Sequence, residues 1–404
     1  MSIYKGTGTG GARAENPPYS NTGGYGGLNF INELRKPTDR NPRVPHEAHD
    51  AATNVTTVDW LRVTVSDLDA FNGTMADLEG LLFEADIAVQ WTDKGLHGYE
   101  RSAVLQVWRD NDVLTVGHIG TSETGRNKGG LFELTGMGCK ILCLEYPALW
   151  DELYSLLQYH EWRISRVDVA LDLSGEWCRE QGYTVPLLFR AAVNDGLFRS
   201  DKQRNPHMQQ SFSTAGDWSA LVVGNITPDA YDPLVHCPAG LTAYIGNRKS
   251  SDDFFRIYEK GKELLGAMAE AESVDRAWIR IEHEMSRKAS GRTLPLAVML
   301  KPDEYFCADR GGVRAIMERL RQSRTLAAAE QWQRAQFRRE KGLLLSKKIH
   351  WARQSYGRLI HTLTDRGISP EDIIRWLSRT SGLKEFVFDL SGPANDAGPW
   401  EVAA

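Results

Sequence analysis

Long hydrophobic runs are missing from this 404-residue chain. No window approaches the roughly 18 apolar residues that a membrane span needs. The first residues also lack a charged head followed by an apolar stretch, so a soluble, cytoplasmic protein is expected. Cysteine is scarce and odd in number. Cys139, Cys143, Cys178, Cys237 and Cys307 form no C-x-x-C pair, which argues against a zinc ribbon or a redox dithiol and fits a reducing compartment. Glycine clusters at 6–11 and 23–27, but no Gly-Lys-Ser/Thr follows, so a phosphate loop for nucleotides is not expected. An overall excess of positive charge is absent too, the formal net charge being −5.

That average hides a strong polarity. Between Arg310 and Lys384 there are seventeen Lys or Arg and six Asp or Glu, a net +11, which leaves −16 for the rest. A basic segment of this size is what phosphate neutralisation calls for. Composition divides the chain into four parts. Residues 1–55, rich in Gly, Pro, Asn and Ser, read as a flexible arm. Residues 56–292 read as an α+β domain, 293–390 as a basic helical region that contacts DNA, and 391–404 as a loose tail.

Inside the α+β part, period-two alternation predicts strands at Trp60–Val65, Val104–Arg109, Leu114–Ile119, Gly130–Leu134, Ile164–Leu173, Ala220–Val223, Leu241–Ile245, Phe254–Glu259 and Trp278–Glu284. Apolar spacing of three to four predicts helices at Met75–Phe83, Leu149–Tyr159 and Tyr183–Asn194, and later at Val313–Arg324 and Ala327–Leu345. Together these give a central, largely antiparallel sheet with flanking helices and a basic helical C-terminal region. Leu359–Leu363, Gly367 as a stop and a new helix capped by Ser369 resemble a helix-turn-helix unit; two packed structural helices would look the same.

In Arg166-Val167-Asp168-Val169-Ala170-Leu171-Asp172-Leu173 the odd positions are apolar, so a strand turns Asp168 and Asp172 to one side. Arg280, Glu282 and Glu284 share a face in the same way, and Glu133 is the sole charge of its strand. Should these strands be neighbours, their carboxylates converge and need a hard cation or shared protons. A merely solvated sheet face has the same pattern. In Phe254-Phe255-Arg256-Ile257-Tyr258-Glu259-Lys260, reached through the basic turn Asn247-Arg248-Lys249, the phenol of Tyr258 stands between two cations. Flanking cations favour phenolate and hold a phosphate nearby, which suits attack on phosphorus. Tyr244 is the rival nucleophile.

These blocks, in this order, resemble the replication initiation factors of small rolling-circle plasmids and filamentous phages, the Rep_trans type. The likeness runs over roughly residues 58–290. Leu131-Phe132-Glu133-Leu134 is similar to an early block of the phage members. The resemblance implies metal-dependent nicking of one origin strand through a phosphotyrosine, with rejoining by strand transfer. Tyr258 is then the nucleophile, with Arg256 and Lys260 beside it, and Glu133, Asp168, Asp172 and Glu282 hold Mg²⁺ or Mn²⁺, with Glu284 in reserve. Arg248, Lys249, Arg280, Arg338, Arg339, Lys347 and Lys348 are the expected DNA contacts. Single-stranded or melted origin DNA, a host helicase, a host polymerase and a homodimer partner are implied as well. The chain lacks the His-hydrophobe-His motif of histidine-ligated relaxases. Two other readings are open: an origin-binding regulator that does not cut, and a metal-dependent hydrolase that uses water.

Overall fold

The structure is a computed structural model describing residues 54–92, 94–109, 112–125, 127–202, 210–265, 274–288, 290–323, 334, 337 and 356–377. The chain forms two units, Arg40–Gly357 and a second made of Met1–Asp39 with Arg358–Ala404.

The larger unit is built on ten strands: β1 Thr56–Val65, β2 Ile87–Thr92, β3 Arg101–Arg109, β4 Asp112–Ser122, β5 Gly129–Leu134, β6 Arg163–Leu173, β7 Phe212–Gly216, β8 Leu241–Ile245, β9 Asp253–Glu259 and β10 Ile279–Ser286. They form one sheet in the order β2-β3-β4-β5-β1-β6-β10-β9-β8-β7, antiparallel throughout. The α+β class with a central antiparallel sheet is therefore the observed architecture.

Alternation in sequence becomes two chemically distinct sheet faces. Leu61, Val63, Val167, Val169, Leu171, Ile257 and Ile281 are all fully buried on one of them. They join a single core with side chains of three helices: α1 (Leu68–Glu84), α3 (Pro147–Tyr159) and α8 (Gly311–Ser323). Each such side chain contributes roughly 2 kcal/mol by leaving water. Helix α1 starts where Asp67 accepts from the Asp69 amide, and its Phe71 lies so close to Gly130 that a Cβ there would fall 2.0 Å from the ring. Between these, α2 (Gly136–Lys140) follows β5; α4 (Gly175–Gln181) and α5 (Val185–Asn194) follow β6.

One expectation is corrected and two strands are added. Ala220–Val223 is not a strand but part of helix α6, Trp218–Val223. Four apolar residues are too few to show a period, and only Leu221 is buried. Strands β2 and β7 were not anticipated; both are edge strands, where one-sided pairing leaves half-exposed side chains and weak alternation.

In the second unit Leu363, Ile368 and Ile373 form a small core of their own. Residues 356–365 are helical, the chain turns at Gly367 with φ +79°, and the Ser369 hydroxyl accepts from the Asp372 amide at 3.1 Å at the start of helix Pro370–Leu377. The expected helix, glycine stop and capped second helix are all present. Residues 1–53 of the N-terminal arm and most of Ala327–Leu345 lie outside the described residues.

Candidate active site

Cross-strand register fixes which side chains meet. On the sheet face away from the apolar core, Arg62 lies opposite both Glu133 and Arg166. Trp60 lies opposite Asp168, Asp168 opposite Glu284, and Asp172 opposite Arg280. Arg280 in turn faces Tyr258, and Glu282 faces Arg256. The register therefore brings the tyrosine and the acids to one face of the sheet.

Tyr258, only 6% exposed, donates its hydroxyl to Glu282 Oε1 at 2.6 Å. Arg256 donates Nε to the other oxygen of Glu282 at 2.8 Å, and its guanidinium lies 5.1 Å from the phenol ring centre. Lys260 belongs to the first turn of helix α7, Lys260–Leu265, rather than to the strand. Its ammonium still sits 5.7 Å from the same ring and binds Glu263 at 2.7 Å. The flanking cations do not make the phenol acidic here. Burial and then the charge of Glu282 push Tyr258 well above its ordinary value, so the expected phenolate is corrected to a phenol that donates a proton to a carboxylate.

The other acids are each engaged by a cation of the chain. Arg280 forks onto Asp172 with two bonds of 2.7 Å and gives its remaining nitrogen to Asp59 at 2.9 Å. Trp278 donates to Asp172 at 2.8 Å. Arg166 forks onto Asp168 at 2.8 and 2.5 Å and reaches Glu284 at 3.2 Å, which also binds Arg248 at 3.0 Å and Lys288 at 2.7 Å. Glu133 pairs with Arg62; His118 and His97 stand 3.6 and 3.8 Å from its other oxygen. These neighbours, against the effect of burial, hold Glu133 well below the usual carboxylate range. Asp168 behaves oppositely: burial, aided by Glu284 and Glu282 and against Arg166, pushes it up to about 6.

No three His, Cys, Asp or Glu side chains among the described residues are placed to hold a metal ion. As arranged, Glu133, Asp168, Asp172 and Glu282 do not fit one shared Mg²⁺ or Mn²⁺, because a guanidinium stands against each. The spacing put the carboxylates on one face, and arginines of the same and neighbouring strands neutralise them. Arg280 is likewise corrected as a DNA contact: at 1% exposure, with its three nitrogens engaged, it is an internal tie between β6, β10 and β1. Arg248, by contrast, is 54% exposed in the turn before β9, next to exposed Lys249. Tyr244 stacks on Phe254 at 5.8 Å, with no carboxylate bonded to it among the described contacts. Arg338, Arg339, Lys347 and Lys348 lie outside the described residues.

Sequence reasoning missed Asp59, Arg62, His97, His118 and the partner role of Arg166. The last carried a signal, an arginine two residues before an aspartate on the same strand face. Asp59 carried none, since it sits at a β-bulge that only pairing reveals.

No curated protein matches this chain. A solved structure, described as a rolling circle replication initiator protein from Geobacillus stearothermophilus, is similar at 20% identity over 65% of this chain and 77% of that one, with a TM-score of 0.34. The family described as replication initiation factor, Rep_trans, matches residues 162–377. Over half of the chain, from β6 through the acid-and-tyrosine strands to the last described helix, is covered by that match, and the chain belongs to this family of replication initiation factors.

Proposed function

We propose that the chain is a rolling-circle initiator that nicks one strand at its origin, with Tyr258 as nucleophile and Glu282 as the group that receives its proton. The observation that carries this reading is the 2.6 Å bond from the Tyr258 hydroxyl to Glu282 on the charged sheet face. A phenol too weakly acidic to ionise by itself needs a base in hydrogen-bond reach, and Glu282 meets that geometric condition. The tyrosine oxygen attacks phosphorus in line as its proton passes to Glu282. A P–O bond forms to Tyr258, and the P–O3′ bond breaks. The 3′ oxygen takes a proton from solvent and becomes the primer hydroxyl. Because the phosphotyrosine keeps the bond energy, a later 3′ hydroxyl can reverse the step and close a circle without a nucleotide cofactor.

Arg256 has a second duty in this scheme. Its side chain is 35% exposed, so it is the cation an incoming phosphate meets first, and it can stabilise charge on the phosphoryl oxygens. Dependence on Mg²⁺ or Mn²⁺ is proposed as a property to measure, with no step assigned to the ion. Arg248 and Lys249 flank the entry to β9 as backbone contacts, and the basic C-terminal region supplies further affinity that falls with salt.

The test uses single-stranded DNA containing the origin of the replicon that encodes the chain. Wild type, incubated with Mn²⁺, is expected to form a covalent adduct that maps to the peptide holding Tyr258. Tyr258→Phe forms none yet still shifts DNA in a gel. An adduct on the Phe variant would move the assignment to Tyr244. No adduct from wild type, with binding intact, would favour the non-cleaving origin regulator, a reading that the burial of the phenol also supports.

A further inference from the structure

The sheet is built twice. From the β1/β6 seam outward, one half runs β1-β5-β4-β3-β2 and the other β6-β10-β9-β8-β7. Each half is a strand, then helix, then a four-stranded antiparallel meander whose last strand returns beside the first. An approximate two-fold axis through the seam, perpendicular to the sheet, exchanges the halves and leaves each face on its own side. The charged face of the first half thus continues that of the second.

On this shared face Glu133 of β5 corresponds to the acids of β10. His118 of β4 lies opposite Glu133 as Arg256 of β9 lies opposite Glu282. Arg62, His97 and His118 gather round Glu133 with side chains 25%, 40% and 27% exposed, an opening that Tyr258 lacks. His97 is held there by backbone geometry. It has φ +53° at the β2–β3 hairpin tip, and the Asn127 amide donates to its carbonyl at 3.1 Å. A Cβ on the next residue, Gly98, would strike that amide at 2.6 Å. Non-glycine residues in this conformation cost free energy and mark positions the fold overdetermines. On the same face Trp60 Nε1 is buried with no hydrogen-bond partner among the described residues, and Trp60 stands on β1, between the two clusters in strand order.

We infer that Arg62, His97 and His118 form a second contact for the phosphodiester backbone of the single strand engaged at Tyr258. The inference rests on the proposed function and names a further part of its DNA path. From β9 to β4 is five strand spacings, about 24 Å at ~4.8 Å each, so only a strand several nucleotides long spans both. Cation and imidazole donors along a sheet face suit a backbone track of this kind.

The experiment measures binding of the full chain to fluorescent oligothymidylates of about 3 nucleotides, too short to reach both contacts, and about 15 nucleotides at low salt. The double variant His97→Asn, His118→Gln is used because Asn tolerates the left-handed backbone at 97. The longer oligonucleotide is expected to lose roughly 3- to 10-fold in affinity, and the shorter one less than about 2-fold. Unchanged affinity for the longer oligonucleotide overturns the inference, as does an equal loss on both lengths. If the variant fails to fold, ultraviolet cross-linking of wild type to iodouracil-substituted single strands decides. Adducts on peptides with Trp60 or His118 support the site, and cross-links confined to β8–β10 and the C-terminal region refute it. Adduct formation by the wild-type chain is measured in parallel. A chain that never forms the phosphotyrosine thus breaks the nicking reading while this binding result stands or falls separately.

Discussion

The two halves of the sheet share a connectivity and differ in how they treat charge. In β6–β10 the acids are sealed. Arg280 is fully buried against Asp172 and Asp59, and Tyr258 is bonded to Glu282 beneath Arg256. In β1–β5 Glu133 is ringed by the half-open side chains of Arg62, His97 and His118. The same topology therefore supports a dry centre, where proton transfer to a carboxylate is possible, and a wetter one suited to grip. Low local dielectric strengthens the pairings of the first and penalises any that is broken.

The sharpest way to break this contrast is to remove one acid-binding arginine from each half. Arg280→Met leaves buried Asp172 and half-buried Asp59 without their main partner and is expected to cost about 3–5 kcal/mol in urea unfolding. Arg62→Met, at a more exposed position with two histidines still beside Glu133, should cost about 1–2 kcal/mol. Equal losses would mean that the halves are equally sealed.

A smaller expected effect separates chemistry from grip. Glu282→Gln keeps the shape but removes the proton acceptor, and should slow adduct formation by about 10²- to 10⁴-fold with DNA binding retained. Glu133→Gln should leave adduct formation on a short origin oligonucleotide within a few fold. Parallel single-turnover assays compare them, and a large loss in the second would place Glu133 in the chemistry.

Titration sharpens the comparison further. Asp168 is raised when folded, so the folded state favours its protonated form. That advantage is complete below about pH 4 and lost as pH climbs through about 6, so wild type should lose roughly 2–3 kcal/mol relative to Asp168→Asn across that window. Glu133 is depressed when folded. Its contribution is present above the unfolded value near 4.3 and lost as pH falls. Stability curves of the variant and wild type that stay parallel from pH 4 to 6 would remove Asp168 from the account. The smallest effect is expected at Tyr244→Phe. Its rate of adduct formation should stay within about 2-fold of wild type, since no carboxylate is bonded to that hydroxyl among the described contacts.

Much of this was readable beforehand, for local reasons. The alternation in β6, β9 and β10 fixed which residues share a face with Asp168, with Tyr258 and with Glu282 within each strand, because period two is a property of the strand itself. The cap at Ser369 and the stop at Gly367 were legible for the same reason. Edge strands β2 and β7 were not, since half-exposed positions relax the pattern. Nor was the fate of the carboxylates, since the partner of an acid lies on another strand.

By itself the sequence determined the two-faced strands, the helix periods, the basic C-terminal segment and the order of blocks that marks the family. Only the tertiary structure decided which cation meets which acid. It made Arg280 an internal tie, gave Tyr258 a carboxylate rather than a cation for its hydroxyl, and set Asp59 and the two histidines into the charged face. The reason is physical: periodicity fixes the direction a side chain leaves its own strand, whereas pairing, burial and pKa depend on neighbours set by register across strands far apart in the chain.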